Sequence, residues 1–234
     1  MALTDKLTAI ADAIRGKTGK TDGLTLDQMP GEIAGIQAGG ASEQELLTKM
    51  LSLDWPTGDM VVSNVSIGAS VMSGRKITSL NLNNCTVGGN AFQGTLCETI
   101  EITNSNLGGS GHFTNCQNLT SATLRNTTVG GDTTFYNCKK LSFVDMGELG
   151  LRLGSSFANG CTNLKTLILR RTDQIAYIGN ANAFNGTPLA ANGTGGTVYV
   201  PAALIEQYQQ ASNWSALYAA GNCNFVAIEG SEYE

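Results

Sequence analysis

With 234 residues, 41% of them apolar and only 14% charged, the chain has enough hydrophobic mass for a folded core, which excludes a disordered protein. A net charge of -5, with no local cluster of Lys and Arg, excludes nucleic acid as an expected partner. No apolar run approaches the ~20 residues of a membrane span, so no membrane insertion is expected, and the opening Met1-Ala2-Leu3-Thr4-Asp5-Lys6 lacks the basic and apolar regions of a signal peptide, so export by that route is not expected.

In chain order, the first predicted elements are helices. Leu3, Leu7, Ile10 and Ile14 recur at helical spacing and end at Gly16, and Leu26, Met29, Ile33 and Ile36 form a second stripe, with Pro30 acceptable in a first turn. The intervening Gly16-Lys17-Thr18-Gly19-Lys20-Thr21 superficially resembles a phosphate-binding loop. That motif needs a glycine five residues before Gly19, where Ile14 stands, so the stretch reads as a polar inter-helix loop. After the break at Ala38-Gly39-Gly40-Ala41, the capping box Ser42-Glu43-Gln44-Glu45 opens a third helix through Leu46, Leu47, Met50 and Leu51, ended by Trp55-Pro56. Short amphipathic helices cannot bury their stripes alone. Residues 3–36 are expected to pack against copies from other chains, and the third helix to cap the first repeat of the next region.

From residue 65 onward the chain repeats. Aligned on one aromatic, the units begin at Val71, Phe92, Phe113, Phe135, Phe157 and Phe184, spaced 21, 21, 22, 22 and 27 residues, with the first a degenerate copy. Ahead of the anchors lie Val65, Val87, Leu107, Val129, Leu151 and Ile178, usually followed by glycine; the pairs at 88, 108 and 130 are expected at turns with positive φ. Behind the anchors run Ile77, Leu80 and Leu82, then Leu119, Ala122 and Leu124, then Leu141, Val144 and Met146, then Leu164, Leu167 and Leu169. That is an L-x-x-L-x-L strand signature. Each unit is expected to contribute one short strand to a parallel stack, with the Phe rings in a ladder.

The cysteines fall into the same register. Cys116, Cys138 and Cys161 follow their Phe by three or four residues, which suits buried free thiols better than a disulfide or metal role; Cys85, Cys97 and Cys223 read the same way. The single histidine, His112, joins no ligand cluster and no triad, so no catalytic residue, metal or cofactor is expected. Asn-x-Ser/Thr matches such as those at Asn118, Asn126 and Asn213 are what an Asn- and Thr-rich chain supplies by chance.

The units Ile178-Gly179-Asn180-Ala181-Asn182-Ala183-Phe184 and Phe157-Ala158-Asn159-Gly160-Cys161-Thr162-Asn163-Leu164 resemble the BspA-like class of leucine-rich repeats over residues 65–190. The tail Val198-Tyr199-Val200-Pro201, followed by residues 202–208 and Asn213-Trp214-Ser215, looks like the segment that closes such arrays: a strand, a proline, then a helix ending in Trp. The resemblance implies a β-rich solenoid of about five to six repeats with a small helical N-terminal region and a strand-helix C-terminal cap. It also implies surface binding and adhesion, because the class is common in bacterial surface proteins. Residues 3–19 with 24–30 are similar to the opening segment of many phage and prophage tail or baseplate-associated proteins. That second resemblance implies a virion tail setting, attachment to other tail or baseplate proteins, release by lysis and, as in many phage fibres, a homotrimer.

The expected division is a helical attachment or oligomerisation segment at 1–40, a helical cap or linker at 41–58, a solenoid at 59–196 and a cap at 197–234. Strand residues alternate with the core positions, so Asn81, Asn83, Glu101, Thr103, Thr123, Arg125, Asp145, Ile168 and Arg170 are expected to face outward as a mixed polar strip, with Tyr136, Phe143 and Tyr177 adding aromatic contacts. The expected role is recognition of a host-cell-surface protein or glycan, not catalysis. The alternatives are an adhesin on a bacterial cell surface and a virion spacer that binds nothing.

Overall fold

The computed structural model describes residues 10–12, 14–15, 58–150 and 152–234. The chain divides into two compact units, Met1–Trp55 and Pro56–Glu234. In the first, residues 10–12 and 14–15 are helical, with Ala11 and Ile14 buried and Ile10 half-buried. The other residues of the two stripes (Leu3, Leu7, Leu26, Met29, Ile33 and Ile36) and the third helix lie outside the described residues.

The second unit is a coil of strands. A long and a two-residue strand alternate: β1 (Gly58–Ser63), β2 (Ser66–Ile67), β3 (Ile77–Asn83), β4 (Thr86–Val87), β5 (Thr99–Thr103), β6 (Asn106–Leu107), β7 (Ser121–Arg125), β8 (Thr128–Val129), β9 (Phe143–Asp145), β10 (Arg152–Leu153), β11 (Thr166–Ile168) and β12 (Tyr177–Ile178). The closing strands are β13 (Gly196–Val200) and β14 (Cys223–Ala227). The long strands pair in parallel in the order β1-β3-β5-β7-β9-β11-β13-β14, while the short ones build a sheet β2-β4-β6-β8 and a separate pair β10-β12. The chain is therefore a β-solenoid of about five turns, as the leucine signature implies.

Alternation places one face of the main sheet inside. Leu80, Ile100, Ala122, Val144, Leu167 and Val198 pair in register as one buried column, and Leu82, Ile102 and Leu124 form a second beside it. Ile67, Val87 and Leu107 supply the opposite wall, half-buried Val129 continues their column, and buried Leu153 pairs with Ile178. Ile67 takes the place that sequence alignment assigned to Val65, and Leu153 the place assigned to Leu151. The pairing decides this, since Ile67 is the strand partner of Val87 and Leu153 that of Ile178, each two residues beyond the assigned position.

Between the two walls runs the aromatic ladder. Phe92, Phe113 and Phe135 stack face to face, with centroids 5.6 Å apart at both steps. Phe135 then meets Phe157 edge-on at 89°. The cause is the extra residue between Phe157 and Cys161: the Phe135 N–H bonds to the Phe157 carbonyl, whereas the Phe113 N–H bonds to the residue before Phe135, so Phe157 sits one position early. At the first coil the ladder position belongs to buried Met72, not Val71, since Met72 N–H bonds to Ala91 as Phe92 N–H bonds to His112.

The turns after the long strands are made by Asn64, Asn84, Asn104 and Asn126 at φ of 60°, 55°, 52° and 46°. Asn tolerates this left-handed region better than other residues with a Cβ. Their side chains join the ladder: Asn84 Nδ2 donates to Asn64 Oδ1 and Asn126 Nδ2 to Asn104 Oδ1, both at 2.8 Å. Of the recurrent glycine pairs, Gly109 and Gly131 take positive φ; Gly88 and Gly89 do not, and Gly88 is needed because a Cβ there would press on the Ala69 backbone.

At the far end two short helices, α1 (Ile205–Gln210) and α2 (Trp214–Ala219), lie between β13 and β14 in the chain. Trp214 opens the second helix rather than ending the first. Its ring packs on Phe184 at 5.7 Å and its Nε1 donates to the Ala176 carbonyl at 2.7 Å, while the Tyr208 hydroxyl accepts from Ala176 N–H at 2.8 Å. Both buried polar tips are thus satisfied where the last coil would otherwise stop open.

Candidate functional site

The outward face of the main sheet carries two adjacent columns whose members pair directly across the strands. One runs Val61, Asn81, Glu101, Thr123, Asp145, Ile168, Tyr199 and Val226; the other runs Asp59, Ser79, Thr99, Ser121, Phe143, Thr166, Thr197 and Asn224. The two halves of this face differ in what they touch.

Over β1, β3, β5 and β7 no other described segment crosses the face. Asp59, Val61, Ser79, Asn81, Thr99, Glu101, Ser121 and Thr123 surround a shallow depression of about 550 Å³, floored by Leu80 and Ile100. Asp59 accepts from the Ser79 hydroxyl at 2.7 Å and the Thr78 hydroxyl at 3.3 Å, and Glu101 accepts from Asn81 Nδ2 at 3.3 Å. Val61 is 74% exposed, an isolated apolar side chain among polar ones.

Over β9, β11 and β13 the face is filled by the chain itself. Tyr233 packs on Phe143 at 5.8 Å and on Tyr199 at 4.7 Å, crossing the strand between them. Ile228 anchors this return, buried and donating its N–H to Val200 at 3.0 Å. Backbone N–H groups of Glu229 and Ala202 hold the Glu229 carboxyl below its usual range. Ile168, though outward by register, is fully buried beneath this covering. Its inclusion among the surface residues is therefore corrected: alternation sets which face a side chain takes, not what lies on that face.

Asp145 is corrected in the same way. It is 1% exposed and bridges two arginines, accepting from Arg125 Nη2 at 2.9 Å and Arg170 Nε at 3.0 Å, and its Oδ1 also accepts from Gly147 N–H at 3.0 Å. Gly147 takes a φ of 61°, and a Cβ there would run into the Leu124 carbonyl. A buried carboxylate with these donors holds structure. Arg170 is mostly buried with it, while Arg125 stays half-exposed and reaches Glu148 at 3.9 Å.

Of the strip expected from sequence, Asn81, Glu101 and Thr123 line the depression, and Asn83, Thr103 and Arg125 form the neighbouring column. Asn83 is already engaged, its Oδ1 accepting from Thr103 Oγ1 at 3.0 Å and Asn104 Nδ2 at 2.8 Å. Tyr136 and Tyr177 are exposed but lie off this face, the first in the turn after Phe135 and the second on β12. Asp59, Ser79, Thr99 and Ser121 were missed. Ser79, Thr99 and Ser121 stand two residues before the strip residues of β3, β5 and β7, so period-two alternation extended one step would have found them, whereas Asp59 lies on β1, which carries no strip residue.

The remaining reactive groups are internal. All six cysteines are free and buried, and Cys116, Cys138 and Cys161 each donate to the carbonyl of the Phe one coil earlier, at 3.3, 2.9 and 2.9 Å. Burial pushes the Cys97 thiol up to about 11 and Cys223 up to about 12, so neither supplies thiolate near neutrality. His112 is buried, with Nε2 2.9 Å from the Gly108 carbonyl, and burial lowers it below its usual value. Among the described residues no group of His, Cys, Asp and Glu could hold a metal ion, and no helix is long and apolar enough to cross a membrane.

The family profile for the BspA type leucine rich repeat region matches six copies, over residues 60–165 and 85–192. Neither the curated proteins nor the solved structures give a match to the chain. The profile spans every coil from β1 to Phe184, more than half of the sequence, and its repeats are binding repeats rather than catalytic ones. The chain belongs to the BspA-type leucine-rich-repeat family.

Proposed function

We propose that the chain is a receptor-binding or adhesion protein of a phage or prophage tail, holding a host-cell-surface protein or glycan on the open face of β1, β3, β5 and β7. The observation that carries the binding role is the contrast between the two halves of one sheet face. One half is closed by the chain's own Tyr233, and the other presents a polar depression with no described segment across it. The tail setting rests on the likeness of residues 3–30 to phage tail and baseplate segments, and with it come the proposed attachment to other tail proteins and assembly as a trimer. The family itself equally favours an adhesin on a bacterial surface, which would use the same face.

Labelled full-length protein incubated with a panel of intact bacterial strains tests the reading. Saturable retention on at least one strain is expected, lowered at least tenfold by Asn81→Trp, which fills the depression, and unchanged by Tyr177→Ala. Retention by no strain, or equal retention of Asn81→Trp, would overturn it. Mass spectrometry of purified tail particles separates the two settings, since the chain is a particle component only in the first. Light scattering tests assembly: removal of residues 1–40 is expected to leave a folded monomer, and an unchanged mass would rule out an oligomerising role for that segment.

A further inference from the structure

We infer that the open face takes a carbohydrate free of acid groups, laid across the strands. The inference rests on the reading of this face as the binding surface and names the ligand class that its chemistry fits.

Charge is the first argument. The lining holds two carboxylates, Asp59 and Glu101, and no Lys, Arg or His. The nearest cation in the adjoining column, Arg125, is neutralised by Asp145 at 2.9 Å with Glu148 at 3.9 Å. An acidic polymer would meet two uncompensated negative charges there.

The second argument concerns anchors. Tight protein partners are held by buried aromatic and Arg side chains in pockets, and this lining has neither, only Val61 as an exposed apolar group. What it offers is hydroxyl, amide and carboxylate groups. The hydroxyls of Thr99, Ser121 and Thr123 have no hydrogen-bond partner among the described residues, and Asp59 and Glu101 each keep a second oxygen outside the bonds already described. Hydroxyl groups donate and accept at once, carboxylates accept up to four bonds, and a sugar ring presents hydroxyls of matching character.

Spacing is the third. Strands lie ~4.8 Å apart, close to the length of one sugar ring, so the same group types recur across β1, β3, β5 and β7 with the pitch of a saccharide chain. At about 550 Å³ the depression falls within the roughly 300–1,000 Å³ of small-molecule sites. One strand further along the Ser121 column stands Phe143, half-buried against Tyr233, an aromatic surface at the end of the path.

The test uses the full chain with immobilised dextran and cello-oligosaccharides as acid-free probes, hyaluronan and heparin as acidic ones, and retained bacterial cells treated separately with periodate, which cleaves the adjacent diols such sugars carry, or with proteinase. Expected are retention on an acid-free probe and not on the acidic ones, and cell binding that periodate abolishes and proteinase spares. Glu101→Lys, an exposed substitution checked for folding by circular dichroism, is expected to lower acid-free retention at least tenfold and raise retention on heparin. Retention on acidic probes only, or on none, would overturn the inference, as would cell binding lost to proteinase alone. That last result would leave the binding face standing with a protein as its ligand. Failure of any cell to bind would instead remove the reading beneath it.

Discussion

Individual side chains here serve the coil before anything else. Phe135 is the middle of the ladder, stacked on Phe113 at 5.6 Å and edge-on to Phe157 at 5.4 Å, and no part of it reaches solvent. Phe135→Ala is expected to cost about 3–5 kcal/mol in chemical denaturation, the transfer of a buried ring plus the cavity left between two coils; a loss below about 1 kcal/mol would contradict the ladder. His112 makes a second test. Because burial lowers its folded pKa below 6.5, the unfolded chain binds the proton more readily. Its contribution is unpenalised above pH 6.5 and is progressively lost as pH falls from 6.5 through the folded pKa. Thermal melting should therefore drop between about pH 7.5 and 5 in the native chain more than in His112→Gln, and equal slopes would refute the assignment.

At the scale of elements, each coil owes its shape to a strand that alternates and a turn that bends left-handed. The strands were legible from Leu80, Leu82, Ala122 and Leu124, because burial on one face imposes period two. The asparagine turns were not, although their recurrence at 64, 84, 104 and 126 was there to be read. Their role depends on a backbone angle and on amide bonds between coils 20 or 22 residues apart, neither of which a hydrophobic pattern registers. Asn104→Ala should cost about 1–2 kcal/mol, since a Cβ residue other than Asn resists φ near 52°. Asn104→Gly should cost less, and the reverse order in denaturation would sink the account. The depression was half legible for a similar reason: Asn81, Glu101 and Thr123 followed from the strand alternation, whereas Asp59 sits on β1, ahead of residue 65 where the repeat is first read.

Across the whole solenoid, function follows from how its ends finish the sheet. At one end Trp214, Tyr208 and Phe225 close the stack, with rings 5.4–5.7 Å apart, and the residues after β14 return over β9–β13. This return removed Ile168 from the surface, and it was invisible in sequence because Tyr233 meets Phe143 across ninety residues of chain. Asp145 followed the same logic, since nothing local marks a carboxylate that two arginines, Arg125 on β7 and Arg170 just past β11, will enclose. Beyond that return, no described segment covers the polar surface of β1, β3, β5 and β7. Chemical labelling of carboxylates on the full chain, free and bound to cells of a retaining strain, tests that claim most directly. The account predicts that Asp59 and Glu101 lose reactivity on binding while the exposed Asp173 and Glu206 keep theirs; protection at Asp173 or Glu206, with Asp59 and Glu101 unchanged, would contradict it.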